Sequence, residues 1–218
     1  MARECDDART PSWFHVLEMR VDWYASKRSI VAGLDPLVRA LAARGVAPDA
    51  VTLSAIPIAA VGGAAIALSP STPLLLLVVP VAAGLRLGTN LIDGALARAT
   101  GRSHPRGELL NEVSDRVCDV LLVAPVAVLP AAQPALVLLG VAMAILASFI
   151  GVAAKAAGGD RLYGGVLSKP GRMALLAAVA LAAFVAGPGA WAWFGPILLA
   201  GTSLTAAERL VVGWRRLQ

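Results

Sequence analysis

Three acidic side chains within two apolar segments are the residues of this sequence best suited to chemistry. Asp93 lies in the first segment, whereas Asp115 and Asp119 lie in the second. A charged side chain at the centre of a bilayer costs about 2.5 to 3.5 kcal/mol on insertion scales, so these carboxylates are expected to face a polar cavity, a metal ion or one another. Asn90 and Asn111 share their helical faces, because residues three and four positions apart lie on one side of a helix.

Oxygen-rich clusters of this kind are suited to hard divalent cations. Mg²⁺ and Mn²⁺ prefer carboxylate and amide oxygens, and either ion can bind a diphosphate and neutralise the charge that develops on a leaving phosphate. Gly94 and Ala97 have little or no side chain, which would let a second helix or a flat ligand approach the backbone. The alternative is that the polar residues only hold the helices together.

The composition indicates where this cluster lies. Of the 218 residues, 58% are apolar and only 15% are charged, with a mean hydropathy of +0.74, whereas about a quarter of the residues of a soluble domain are charged. We therefore expect an integral membrane protein. The formal net charge is +5, but most basic residues fall at one predicted membrane face. Lipid headgroups and phosphorylated substrates are therefore expected as partners, and nucleic acid is not.

The apolar segments are long enough to cross a bilayer, for which about 20 residues are needed. The sequence offers six candidate spans, at residues 50–68, 73–97, 108–129, 132–154, 173–186 and 191–212. Basic residues lie before the first span, between the second and third, between the fourth and fifth, and after the last, whereas the other three connections carry no charge. By the positive-inside rule this alternation predicts six spans with both termini cytoplasmic.

The predicted fold is therefore all-α and integral to the membrane, with six transmembrane helices in one bundle over residues 46–218. Residues 1–45 are expected to form a cytoplasmic tail and an N-terminal interfacial amphipathic helix, because aromatic and basic residues are mixed from residue 13 to residue 44. A solvated tail with a few anchoring tryptophans is the other interpretation.

The central segment resembles the signature of the CDP-alcohol phosphotransferase family, which reads DxxDGxxAR, eight residues, then GxxxDxxxD. The first half is matched by Asp93, Gly94, Ala97 and Arg98. Gly107 follows after eight residues, and Asp115 falls on the last aspartate. Residues 47–52 are also similar to the family's entrance to its first helix, and residues 154–172 to its basic loop. The resemblance covers about residues 44–210 and implies the family's membrane fold.

Two positions depart from the signature, since the family's first and third aspartates are Asn90 and Asn111 here. In the family, the first three aspartates bind divalent metal and the fourth is the general base that takes the proton of the acceptor hydroxyl. The resemblance thus implies Asp93 as a metal ligand and Asp115 as the base beside the metal. Each asparagine can offer a carbonyl oxygen, although a neutral ligand holds a hard cation less tightly. With Asp119 as a further ligand, one or two ions of Mg²⁺ or Mn²⁺ are expected.

The resemblance implies transfer of a phosphatidyl or related phospho-alcohol group from a CDP-alcohol, such as CDP-diacylglycerol, to the hydroxyl of a small polar acceptor, with release of CMP. The nucleotide and its diphosphate would contact Thr52, Gly94, Ala97, Arg98 and Gly107. A phosphorylated acceptor would contact Lys155, Arg161 and Arg172. Arg98 and these three residues are equally compatible with ordinary topology anchors. A homodimer in the cell inner membrane, with its active site facing the cytoplasm, is also implied.

Two other functions are compatible with the sequence. The asparagines could mark a catalytically impaired relative that binds CDP-lipid or nucleotide as a partner or regulator of an active enzyme. A small transporter with a buried ion site is the third hypothesis, but such sites lie between repeated halves and no repeat is visible in this sequence.

Overall fold

The architecture was obtained as a computed structural model that describes residues 23–217, with the backbone alone described for residues 23–32. This part of the chain contains no strand, and its α-helices are α1 (Trp23–Ala43), α2 (Pro48–Leu68), α3 (Val78–Ala99), α4 (Pro105–Val123), α5 (Pro134–Ala156), α6 (Lys169–Ala186) and α7 (Phe194–Arg216). Three 3₁₀ segments adjoin them, at Pro73–Leu77, Ala124–Val128 and Pro188–Trp193. The predicted all-α fold is confirmed.

Proline sets several of the helix starts. Pro48, Pro105 and Pro134 each occupy the first turn of a helix, where the missing N–H is not needed and the fixed φ angle already suits the helix. Gly187, with φ of 94°, ends α6. The helices therefore begin and end at the charge-free and basic connections from which the topology was predicted.

Five helical segments of the described chain are long and apolar enough to cross a membrane, namely Pro48–Leu68, Pro73–Ala99, Pro134–Ala156, Lys169–Ala186 and Pro188–Arg216. They correspond to the first, second, fourth, fifth and sixth predicted spans. The predicted third span forms α4 and the 3₁₀ segment after it, but α4 carries too many charged side chains to belong to this set. The chain is a multi-pass membrane protein, and the third predicted span and the cytoplasmic termini stay predictions.

Helix α1 packs against the charged end of α3. Val38 is buried in a small cluster with Ala95 and Leu96, which gives α1 one apolar face. The predicted interfacial helix overlaps α1, but its first aromatic residues, Trp13 and Phe14, lie outside the described residues. The location of α1 in the membrane interface stays a prediction.

Two adjacent glycines bring α2 close to both α3 and α4. A Cβ atom added to Gly63 would lie 2.0 Å from the backbone carbonyl oxygen of Leu121 in α4, and one added to Gly62 would lie 2.8 Å from the Cβ atom of Ala82 in α3. Glycine therefore permits a helix approach that any side chain would obstruct. This packing brings the first turns of α2 beside the last turns of α3.

A buried arginine of α7 holds the loop between α5 and α6. Arg209 donates hydrogen bonds to the carbonyl oxygens of Ala147 (2.7 Å), Tyr163 (2.8 Å) and Gly164 (2.8 Å). The last two carbonyls belong to the loop, which ends where Lys169 begins α6. Arg209 thereby determines where Lys169 enters the bundle.

Candidate active site

Asp93 is a buried acidic residue whose two carboxylate oxygens both accept hydrogen bonds. Its side chain is buried in α3, and its Oδ2 atom accepts a hydrogen bond of 2.8 Å from the hydroxyl of Thr52 in α2. Its Oδ1 atom lies 2.6 Å from the backbone N–H of Gly94. Two donors thus fix the orientation of the carboxylate, as the partners of metal-binding carboxylates commonly do.

A cavity of about 400 Å³ opens beside Asp93, between the start of α2, the end of α3 and the start of α4. All five residues that the resemblance assigned to the nucleotide and its diphosphate line it, namely Thr52, Gly94, Ala97, Arg98 and Gly107. Two of the predicted metal ligands, Asp93 and Asn111, line the same cavity. Residues from three helices, distant in sequence, therefore meet around one polar space.

This cavity carries basic groups that could hold an anion, beside the carboxylates of Asp49, Asp93 and Glu108. Arg98 and Arg102 line it from the end of α3 and the loop that follows. The first turn of the 19-residue helix α4 lines it as well. Its N–H groups at Gly107 and Glu108 are bonded to His104, so this helix end contributes partial positive charge rather than free donors. A diphosphate is the kind of ligand that this arrangement can hold.

Sequence reasoning missed part of the cavity wall. His104 accepts a hydrogen bond of 2.9 Å from the N–H of Gly107 through Nδ1 and so caps α4. Its Nε2 atom lies 3.6 Å from Oδ2 of Asp49, and both residues line the cavity, as does Arg102. The detectable signal was a polar residue immediately before Pro105, which is a typical helix start.

The predicted base lies outside the group of cavity-lining residues. Asp115 does not line the cavity, and its Oδ1 atom is contacted by Nη2 of Arg86 at 2.5 Å and by Nζ of Lys169 at 2.6 Å. Asn90 connects the two regions, because its Nδ2 atom lies 3.3 Å from Oδ1 of Asn111 and 3.2 Å from Oδ1 of Asp115. Lys169 was not predicted as a site residue.

The three predicted acceptor-binding residues each form an ion pair with an acid of α4. Arg172 is buried and contacts Asp119 at 2.7 Å. Lys155 pairs with Glu108 at the surface, and Arg161 pairs with Glu112.

Glu112 of α4 is largely buried rather than solvated. Its side chain is only 16% exposed, because it lies between Arg161 and Arg116, whose Nη2 atom is 2.7 Å away. Both guanidinium groups compensate the charge that burial would otherwise leave unpaired.

The donor set determines how well a metal ion fits. Within residues 23–217, no three His, Cys, Asp or Glu side chains converge as a group that could hold one. Asp93 and Asn111 nevertheless present oxygen donors to the cavity, and a hard cation with several ligands from water or phosphate needs no more from the protein. Asp93 and Asn111 could therefore supply protein ligands to one such ion, whereas Asp115 and Asp119 are engaged by basic side chains.

Comparison with known proteins gives one curated relative and a set of solved structures. No family model matches the sequence. The inner membrane protein YnbA of Escherichia coli is 33% identical over 122 residues, which are 56% of this chain and 60% of YnbA. The matched region thus spans less than two thirds of that relative.

The solved structures are those of phosphatidylinositol phosphate synthase (PgsA1) from Mycobacterium tuberculosis. The complex with manganese and citrate superimposes with a TM-score of 0.68 at 22% identity, covering 82% of this chain and 88% of that one. The form with CDP-DAG bound gives 0.68 at 23% identity, with coverages of 82% and 92%. This synthase belongs to the CDP-alcohol phosphotransferase family, so the present chain has the fold of the family that its central motif resembles.

Proposed function

We propose that the protein is a membrane transferase that moves a phosphatidyl or related phospho-alcohol group from a CDP-alcohol to the hydroxyl of a small polar acceptor and releases CMP. The observation that carries this proposal is the cavity beside Asp93, where all five residues assigned to the nucleotide and diphosphate meet. Their convergence around one cavity supports the roles that the resemblance implies for them.

Different residues of the cavity are proposed to bind the diphosphate and the divalent ion. Arg98 and Arg102 would bind and orient the diphosphate, and the dipole of α4 would add partial positive charge at the same place. Asp93 and Asn111 would hold the divalent ion, Mg²⁺ or Mn²⁺. The chemistry that such an ion supplies when bound is neutralisation of the charge on the phosphate of the departing CMP.

Asp115 is the proposed proton acceptor. Its recorded contacts with Arg86, Lys169 and Asn90 all involve Oδ1, which leaves Oδ2 for the proton of the acceptor hydroxyl. General base catalysis requires this oxygen to come within hydrogen-bond reach of the bound acceptor. The acceptor would therefore lie on the α4 and α6 side of the diphosphate.

The remaining assignments rest on the fold. A synthase of the same fold has been solved with CDP-DAG bound, which supports CDP-diacylglycerol as the donor lipid. Lys155 and Arg161 are proposed to favour a phosphorylated acceptor, whereas Arg172, predicted for the same role, is buried against Asp119. A homodimer in the inner membrane, with the cavity facing the cytoplasm, is proposed as well, and the relative named an inner membrane protein supports that location.

The proposal is tested by CMP release from CDP-diacylglycerol. Purified protein would be assayed in detergent with Mn²⁺ or Mg²⁺ and a panel of inositol, glycerol and amino alcohol acceptors, with and without their phosphates. We expect acceptor-dependent CMP release that is lost in Asp115→Asn and retained in Asp35→Asn, which removes an exposed carboxylate of α1. Equal release by the Asp115→Asn variant would contradict the assignment of the base.

The impaired relative that binds CDP-lipid remains the second candidate, and one observation favours it. Arg86 and Lys169 both contact the carboxylate of Asp115, and two cations stabilise its ionised form, which weakens it as a proton acceptor. This candidate predicts tight binding of CDP-diacylglycerol without CMP release for any acceptor of the panel.

A further inference from the structure

Two basic side chains converge on one carboxylate in the interior of the bundle. Arg86 reaches Asp115 from α3, and Lys169 reaches it from the start of α6. The arginine is only 1% exposed. A buried cation needs a compensating anion, and here a single carboxylate oxygen serves two of them.

The ion-paired side chains around Asp115 contain one more cation than carboxylate. One turn further along α4, Arg172 pairs with Asp119, with side chains only 3% and 4% exposed. Two carboxylates therefore face three cations, contributed by Arg86, Lys169 and Arg172. A divalent cation placed among these groups would meet repulsion, whereas the two hydrogen-bond donors to the Asp93 carboxylate, the Thr52 hydroxyl and the Gly94 N–H, are neutral.

The two asparagines fit this charge pattern. Nδ2 of Asn90 donates to Oδ1 of both Asn111 and Asp115, and an aspartate at position 90 has no proton to donate there. The amide orientation follows from the carboxylate of Asp115, which can only accept. Asn90 thus belongs to the hydrogen-bond network of the basic pair rather than to an anionic metal cluster.

We propose that Arg86 and Lys169 supply, as fixed side chains, the positive charge that a second divalent ion would otherwise bring to Asp115. The protein then binds a single divalent ion, at Asp93 and Asn111, and Arg86 and Lys169 are positioning residues that hold Asp115. This inference rests on the divalent ion of the proposed function, but not on turnover.

The stoichiometry of Mn²⁺ binding tests the proposal. Free Mn²⁺ would be followed by electron paramagnetic resonance during titration of the purified protein without nucleotide. We expect one ion per chain for the wild-type protein, and still one for Asn90→Asp/Asn111→Asp, because the basic pair still occupies Asp115. Two ions or none in the wild-type protein would overturn the proposal, as would a second ion in the double variant.

A quadruple variant gives the complementary result. Adding Arg86→Gln and Lys169→Gln to the two aspartate substitutions is expected to raise the stoichiometry to two. Its charge-matched control adds Arg106→Gln and Arg116→Gln instead, and is expected to stay at one. A folded quadruple variant that remains at one ion would contradict the proposal. If it does not fold, the wild-type and double-variant values decide alone.

Turnover is measured separately, so the two proposals can fail independently. CMP release by a wild-type protein that binds two ions would keep the transferase and remove this inference. One bound ion without CMP release would keep the inference and remove the transferase.

Discussion

The hydrogen bond between Thr52 and Asp93 gives the sharpest single test of the site. The Thr52 hydroxyl has one proton and two acceptors in reach, Oδ2 of Asp93 at 2.8 Å and the carbonyl oxygen of Pro48 at 3.3 Å. The shorter contact, to the charged acceptor, is the stronger one, because hydrogen bonds to charged groups contribute about 1.5 to 3 kcal/mol and neutral ones about 0.5 to 1.5 kcal/mol. Thr52→Val removes this proton with little change in shape.

The expected effect is on the affinity for metal. Losing a partner that orients a metal ligand typically weakens binding by about 10- to 100-fold, so Mn²⁺ affinity of Thr52→Val is expected to fall by that factor in a titration followed by electron paramagnetic resonance. The matched control is Thr202→Val, because Thr202 is equally buried but its hydroxyl donates only to backbone carbonyls, that of Leu198 at 2.7 Å. Equal Mn²⁺ affinity in wild-type protein and both variants would refute the reasoning.

Three further predictions concern packing, the loop and the cavity. Gly63→Ala is expected to lower the free energy of unfolding by about 1 to 3 kcal/mol, because the new Cβ atom would clash with the backbone of α4. The control is Gly84→Ala, whose Cβ atom has no neighbour within 4 Å and should not destabilise the protein, and thermal unfolding in detergent compares the two variants. Arg209→Met leaves three carbonyls without their donor, so limited proteolysis should cut the loop at 157–168 sooner than in the wild-type protein. Arg98→Ala is expected to weaken CDP binding about tenfold in equilibrium dialysis, whereas Arg106→Ala, in an arginine that does not line the cavity, should bind as the wild-type protein does.

The part of the site built from helical spacing could be predicted from the sequence. Asp93, Gly94 and Ala97 lie on one stretch of α3 and Gly107 opens α4, so the period of the helix and one short loop bring them to a common cavity. The apolar segments were equally predictable, because length and hydropathy indicate spans without knowledge of their neighbours.

The contacts of Asp115 could not be predicted in the same way. Lys169 is 54 positions away in the sequence, and its approach depends on the course of the preceding loop, which Arg209 of α7 holds. Arg172 was expected to be available to an acceptor because it follows a basic loop, but α6 turns it into the bundle toward Asp119. Ion pairs between helices that are distant in sequence depend on how the helices pack, and this packing cannot be predicted from a single sequence.

The central claim is that the cavity beside Asp93 holds the diphosphate of a CDP-alcohol through a divalent ion. Equilibrium binding of CDP-diacylglycerol to the purified protein, with Mn²⁺ or with a chelator, measures this directly. We predict that Mn²⁺ tightens binding at least about tenfold in the wild-type protein and in Asp35→Asn, and has no effect in Asp93→Asn, which would lose the anionic ligand. Binding that is equally tight in all three proteins with and without Mn²⁺ would contradict the claim.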